Sequence, residues 1–116
     1  MVVYGNGSQT RDFVNVHDAV EAALAAVEKE NVEEVEGQVF NVGSGKPTSV
    51  NELAKAVLEL AGADLMVKYE APRAGDIRRS YADVSKAGRL LGFKPQVGLR
   101  EGLRALLAEA AVSASC

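Results

Sequence analysis

The segment QVFNVGSGKPTSVNELAKAVLELAG, residues 38 to 62, constrains the fold more than any other. QVFNV is a β-prone run bounded by the turn-forming GSGKP. Ser49 and Glu52 then stand in the S-x-x-E spacing of a capping box, where each side chain satisfies a free N–H of the other end of the turn. Val50, Leu53, Ala54, Val57 and Ala61 share one helical face, and Gly62 can supply the left-handed residue that closes a helix. The segment therefore predicts strand, tight connection and capped helix, an α/β unit. Length limits how much can be built around it. A chain of 116 residues is one ordinary domain, able to bury about 65% of the surface its unfolded form exposes. A doubly wound hydride-transfer enzyme needs two mononucleotide-binding halves, with each βαβ unit taking about 30 residues, and does not fit in this length.

The remaining elements follow the same signals. VVY and RDFVNV read as strands on either side of the turn GNGSQT. From about His17, Val20, Leu24 and Val27 recur at helical spacing with Ala19, Ala22, Ala23 and Ala26 around them. Polarity in this helix is confined to Glu21 and the end at Glu28, Lys29 and Glu30, so it needs neighbours on more than one side. NVEEVEG reads as an acidic, solvated connector, and LMVKY alternates as a half-buried strand does. APRAGDIRRS is an arginine-rich loop. Asp83 and Ser85 offer N-caps to a short helix ending at Gly92. A final helix carries Leu99, Leu103, Leu106, Leu107 and Ala110 on one face, with residues 112–116 expected to fray. The fold class expected is α/β, or α+β as a stand-alone unit, with a small sheet and about four helices in a single domain spanning 1–116.

Charge and cysteine content exclude several functions. Thirteen Lys and Arg against 16 Asp and Glu leave a net charge of -3, the opposite of what a phosphate-backbone binder shows, so no nucleic-acid partner is expected. No apolar run reaches the roughly 18 residues of a membrane span, and MVVYGNGSQT lacks the pattern of a signal peptide. The lone cysteine, Cys116, precludes an internal disulfide or a cysteine zinc site, which fits a reducing, cytoplasmic setting.

Two glycine turns and a few charged residues carry the candidate chemistry. GNGSQT precedes a strand where a dinucleotide fingerprint needs a helix, so its glycines read as turn residues. GSGKPT precedes the capped helix and could seat a phosphate at its end, but it lacks a third glycine and Pro47 removes an N–H donor; it fits an ordinary connection equally well. Glu70 could play the acidic, ribose-gripping residue of a small βαβ unit. Arg11 and Arg73 lie beside glycine-rich backbone, where a planar guanidinium can donate two parallel hydrogen bonds to phosphate, and two of them suit a diphosphate. The plain alternative pairs Arg11 with Asp12 or Asp18, and leaves Arg73, Arg78 and Arg79 as a solvated basic cluster. Asp76 could accept from sugar hydroxyls or support its turn. His17, the only histidine, reads as a capping residue at a helix entrance, with no metal role. Glu33, Glu34 and Glu36 read as solvated carboxylates.

Three ordered segments, VVYGNGSQTRDFVNVHDAVEAALAA, GQVFNVGSGKPTSVNELA and APRAGDIRRSYADVSKAGRLLGFKP, resemble the C-terminal part of NAD-dependent nucleotide-sugar epimerases and dehydratases. These are extended short-chain dehydrogenases, and the resemblance is nearest to the UDP-glucose 4-epimerase group. It implies a truncated piece of that fold, lacking the Rossmann cofactor half, that binds a nucleotide-diphosphate sugar, most simply a UDP-sugar. Arg11 and Arg73 inherit contacts to the diphosphate, Asp76 contacts to the nucleotide end, and Val2, Val3 and Tyr4 match the segment lying along the nucleotide. Asn41 and Gly43 match a strand that in the family joins the sheet of the cofactor domain. NAD is implied for the full-length family but not for this chain alone. The family's Tyr-x-x-x-Lys pair is absent, since Ser8, Arg73 and Ser85 follow Tyr4, Tyr69 and Tyr81 at that spacing, so no catalytic residue is assigned. Asn15 and His17 also stand where relatives often carry an aromatic and an acidic residue. Expected partners are the nucleotide sugar and either a cofactor-binding half or a second copy; a self-associating or partner-docking module without enzymatic activity is the alternative reading.

Overall fold

The computed structural model describes residues 1–28 and 32–114. Strand β1 (Val2–Tyr4) runs parallel to β4 (Lys68–Glu70), with Val3 opposite Tyr69. Gly5 and Gly7, both at positive φ, turn the chain out of β1, and Asn6 Oδ1 accepts from Ser8 N and Oγ within that turn. Strand β2 (Thr10–Asp12) pairs antiparallel with β3 (Pro47–Ser49). The strand, turn, strand expected over the first 16 residues is thus present in shortened form. Its two strands take separate partners, because the turn through Gly5 and Gly7 redirects the chain instead of closing a hairpin.

Helix α1 (Val16–Val27) is capped by Asn15, whose Oδ1 accepts from His17 N at 2.9 Å. His17 is therefore the capped residue, and the capping role expected of it belongs to Asn15. Ala22 packs with Ala87, Leu91 and Phe93 into a small core, with Ala25, Ala26, Val35, Phe40 and Val84 against it. Ala87 and Leu91 belong to α3 (Ser85–Leu91). The buried Asp18 carboxylate accepts from Gln96 N at 2.8 Å and Val97 N at 3.1 Å, fastening α1 to the approach of α4 (Leu99–Ala114). Helix α2 (Val50–Ala61) has the capping box and the left-handed Gly62 that its sequence requires. It packs along α4, with Arg100 donating to Glu59 at 2.8 Å.

Other expectations are corrected. QVFNV forms no strand: a strand requires a ladder partner, and among the described residues no strand lies beside it. Instead Lys86 Nζ donates to Val39 O and Gln38 Oε1 and lies over the Phe40 ring. LMVKY does not alternate in burial. Its pairing with β1 begins only at Lys68, and Met66 is 92% exposed. Without a strand before GSGKPT, the βαβ unit suggested for Glu70 is not formed; Glu70 pairs with Lys68 at 3.0 Å. The N-cap of α3 is Val84, while Asp83 accepts from Ser85 N one turn residue earlier. Residues 32–34 of the acidic connector form a 3-10 turn, whereas Lys29, Glu30 and Asn31 lie outside the described residues. Helix α4 continues to Ala114, into the tail expected to fray, and Ser115 and Cys116 lie outside the described residues. Four α-helices and two small sheets are described in all, an α/β fold. No described helix is long and apolar enough to cross a membrane.

The assembly of these elements is flat and open. Its extents are 52 × 39 × 19 Å and its radius of gyration is 17.3 Å, against about 13 Å for a compact chain of this length. The accessible surface is 8366 Å², against about 6,100 Å² for a compact monomer of this mass. Part of the excess is apolar. On α1, Ala22 is buried while Val16, Val20, Leu24 and Val27, spaced along another face, are open to solvent, Val27 by 82%. The prediction that this helix needs neighbours on more than one side is met on one side only.

Candidate functional site

A cavity of about 1150 Å³ opens where the end of β1, the glycine turn after it, the end of β4 and the loop from Pro72 to Arg79 meet. Loop and turn reach it because β1 and β4 are parallel and end together, so both chains leave the sheet at one edge. Tyr4, Tyr69, Arg73, Asp76, Arg78 and Arg79 are among the residues that line it. The Arg73 guanidinium lies 3.9 Å from the centroid of the Tyr4 ring, a cation–π stack that leaves the fork's edge N–H groups free to donate. Thr10 N donates to Arg78 O and Ser80 N to Thr10 O, so backbone pairing with β2 sets where Arg78 and Arg79 stand.

The residues expected from the sequence are only partly brought together. Tyr4, Arg73 and Asp76 share the wall. Arg11 is not on it but behind Asp76: its Nη2 donates to Asp76 Oδ1 at 2.6 Å, and its Nη1 to Ile77 O and Thr10 O. The pairing of Arg11 with Asp12 or Asp18 does not occur. Val2 and Val3 lie in β1 below the cavity and do not line it, Val3 being buried. Arg78 and Arg79 line the cavity and, like Arg73, are exposed, as the reading of a solvated basic cluster has them. Their signal is adjacency to the Pro-Arg-Ala-Gly-Asp loop, but their place at the cavity is decided by the non-local backbone pairing with Thr10. Both carboxylates on the wall, Glu70 and Asp76, are already ion-paired with Lys68 and Arg11. Arg73, Arg78 and Arg79 form no ion pair among the described contacts, so the wall favours an anion.

The GSGKPT turn is not such a site. Its backbone donors are taken within this chain: Asp12 accepts from Ser44 N and Gly45 N, Ser44 Oγ accepts from Lys46 N, and Glu52 accepts from Ser49 N just after the turn. Gly43 approaches Asp12 so closely that a Cβ would stand 2.6 Å from Oδ2. Burial works against the Asp12 charge, but hydrogen bonds from Ser44, Ala82 and Gly45 outweigh it and hold the carboxyl below its usual range. Glu52 is likewise held low by the backbone and hydroxyl of Ser49. With these donors engaged, the GSGKPT turn offers no free phosphate cradle.

A family profile described as GDP-mannose 4,6 dehydratase matches residues 1–106. The UDP-glucose 4-epimerase of Mycolicibacterium smegmatis is 43% identical over 101 residues, which cover 87% of this chain and 31% of that protein. UDP-glucuronic acid decarboxylase 1 of Arabidopsis thaliana is 34% identical over 109 residues, covering 94% of this chain and 24% of that one. Among solved structures, the UDP-glucose 4-epimerase of Thermotoga maritima with UDP-glucose superposes with a TM-score of 0.90 at 38% identity, over 98% of this chain and 35% of its own. The UDP-glucuronic acid 4-epimerase of Bacillus cereus, in complex with UDP-glucuronic acid and NAD, gives a TM-score of 0.82 at 30% identity, over 90% of this chain and 32% of its own. The chain spans about a third or less of the length of these relatives. Agreement in sequence and backbone over nearly all of the residues thus shows that the chain belongs to the nucleotide-sugar epimerase and dehydratase family of extended short-chain dehydrogenases.

Proposed function

We propose that the chain is the nucleotide-sugar-binding portion of an NAD-dependent sugar epimerase, that its ligand is a UDP-sugar, and that its setting is cytoplasmic. The observation that supports this most is the wall itself, where Arg73, Arg78 and Arg79 stand without carboxylate partners around one cavity. A diphosphate there takes two parallel hydrogen bonds from Arg73, whose stack on Tyr4 fixes the plane of the fork. Asp76 keeps one carboxylate oxygen beyond the one bonded to Arg11 and can accept from a sugar or ribose hydroxyl. Arg11, behind the wall, braces Asp76, and both of its Nη atoms already donate within the chain. The chain so read holds and orients substrate, and the oxidation and return of hydride to the sugar belong to the NAD-bound part of the family's enzymes. Calorimetric titration with UDP-glucose tests the reading. Heat of binding is expected, weakened about tenfold by Arg73→Ala; no heat at millimolar UDP-glucose refutes it.

The open face of α1 favours a second reading that is compatible with the first: a docking or self-associating surface. Val16, Val20, Leu24 and Val27 line it, and the unpaired QVFNV segment leaves Val39 81% exposed. Ligand raises the melting temperature if the first reading holds, whereas protein concentration raises it if copies associate.

A further inference from the structure

Asp12 touches no part of the cavity, yet it ties Ala82, at the end of the segment that carries Asp76, Arg78 and Arg79, to the Ser44–Gly45 turn. Oδ1 accepts from Ser44 N at 2.7 Å and Ser44 Oγ at 2.6 Å, and Oδ2 accepts from Gly45 N at 3.0 Å and Ala82 N at 3.1 Å. One edge of β2 is held by β3. Along the other edge, residues 76–82 are fastened to β2 one residue at a time. Thr10 exchanges backbone hydrogen bonds with Arg78 and Ser80, Arg11 grips Asp76 and Ile77 O, and Asp12 takes Ala82 N. Apolar packing contributes little to this attachment, since Ile77 and Tyr81 are 61% and 58% exposed. Polar fastening by Thr10, Arg11 and Asp12 therefore decides where Arg78, Arg79 and Asp76 stand.

We infer that Asp12 is a positioning residue for anion binding: without touching ligand, its carboxylate locks the Ser44–Gly45 turn and Ala82 onto β2 and so sets the cationic wall. The inference rests on the reading of the cavity as a nucleotide-sugar site. Asn at this position presents an NH₂ to at least one of the N–H donors that now face carboxylate oxygens, so it removes part of the lock without changing size. Asp18 provides the control. Its carboxylate also clamps two backbone N–H groups, at Gln96 and Val97, but their segment carries no wall residue, whereas Ala82 ends the segment that carries Asp76, Arg78 and Arg79.

Full-length wild type, Asp12→Asn and Asp18→Asn are titrated with UDP-glucose and with uridine, and melted in parallel. Asp12→Asn is expected to bind UDP-glucose about tenfold more weakly with uridine unchanged. Asp18→Asn is expected to melt lower while binding UDP-glucose as wild type does. The inference is overturned if both variants bind UDP-glucose as wild type does, or if Asp12→Asn weakens uridine and UDP-glucose equally. Should Asp12→Asn fail to fold, Ser44→Ala decides: it removes the hydroxyl contact to Oδ1, along with the hydroxyl's local contacts to the Lys46 backbone, and an unchanged UDP-glucose affinity then refutes positioning, while a fall of about threefold supports it. Absence of UDP-glucose binding by wild type refutes the reading of the cavity itself, and is distinguishable because it needs no variant.

Discussion

Asp12 and Gly43 show how a residue's neighbours in space settle its role. Beside Arg11 in sequence, Asp12 invites a local ion pair, but its carboxylate meets backbone N–H groups 32 to 70 residues away, and the ion pair of Arg11 forms with Asp76 instead. Because its folded-state pKa lies below the usual value, the unfolded chain binds the proton more readily. Its contribution to stability is thus present above the unfolded value of about 3.9 and is lost as pH falls through the lower folded one. Urea unfolding of wild type and Asp12→Asn should show their stability difference steady from neutral pH to about 5. It should then shrink below pH of about 4; a difference that grows on acidification contradicts the assignment. Gly43→Ala forces a methyl to 2.6 Å from Asp12 Oδ2 and 2.8 Å from Ala82 Cβ. Overpacking of this kind costs about 1–3 kcal/mol, to be read from urea midpoints. Nothing in the local sequence around Gly43 reveals this, since it is not a positive-φ glycine and its constraint comes entirely from distant chain.

Among the elements, α2 was legible almost to the residue because its start and stop are local chemistry: Ser49 with Glu52 at one end, Gly62 at the other. Replacing Ser49 by Ala should cost about 1 kcal/mol, visible as a lower urea midpoint. The short strands were less legible. QVFNV and LMVKY have β-prone composition, but whether a strand forms depends on a partner edge, which composition does not encode. Helix α1 lies between these cases. Its periodicity was plain, and so was its excess of apolar surface, but the division into a packed face at Ala22 and an open face at Val20 and Leu24 follows from where α3 lies. Val20→Lys with Leu24→Lys should therefore leave the monomer's stability within about 0.5 kcal/mol. The double variant should also abolish any self-association; a large loss of stability in dilute protein would mean that α1 is already covered within the chain.

On the scale of the molecule, surface area and shape carry the message. An accessible surface of 8366 Å² in a slab only 19 Å thick leaves more apolar area in water than a compact monomer does. If copies cover that face, the melting temperature of the ligand-free chain should rise with protein concentration, and X-ray scattering should report a mass above 12.2 kDa. A monomer by scattering and a concentration-independent melt would count against self-association and leave docking to a different partner. The number of helices, the capped α2 and the family of the chain follow from sequence, because propensity, caps and ordered motifs are properties of neighbouring residues. Tertiary structure alone decides which residues join Tyr4, Arg73 and Asp76 on the cavity wall, which carboxylate pairs with Arg11, and which side of α1 stays open. Those depend on hydrogen bonds and packing between residues tens of positions apart, where the folded backbone sets distance and separation along the chain does not.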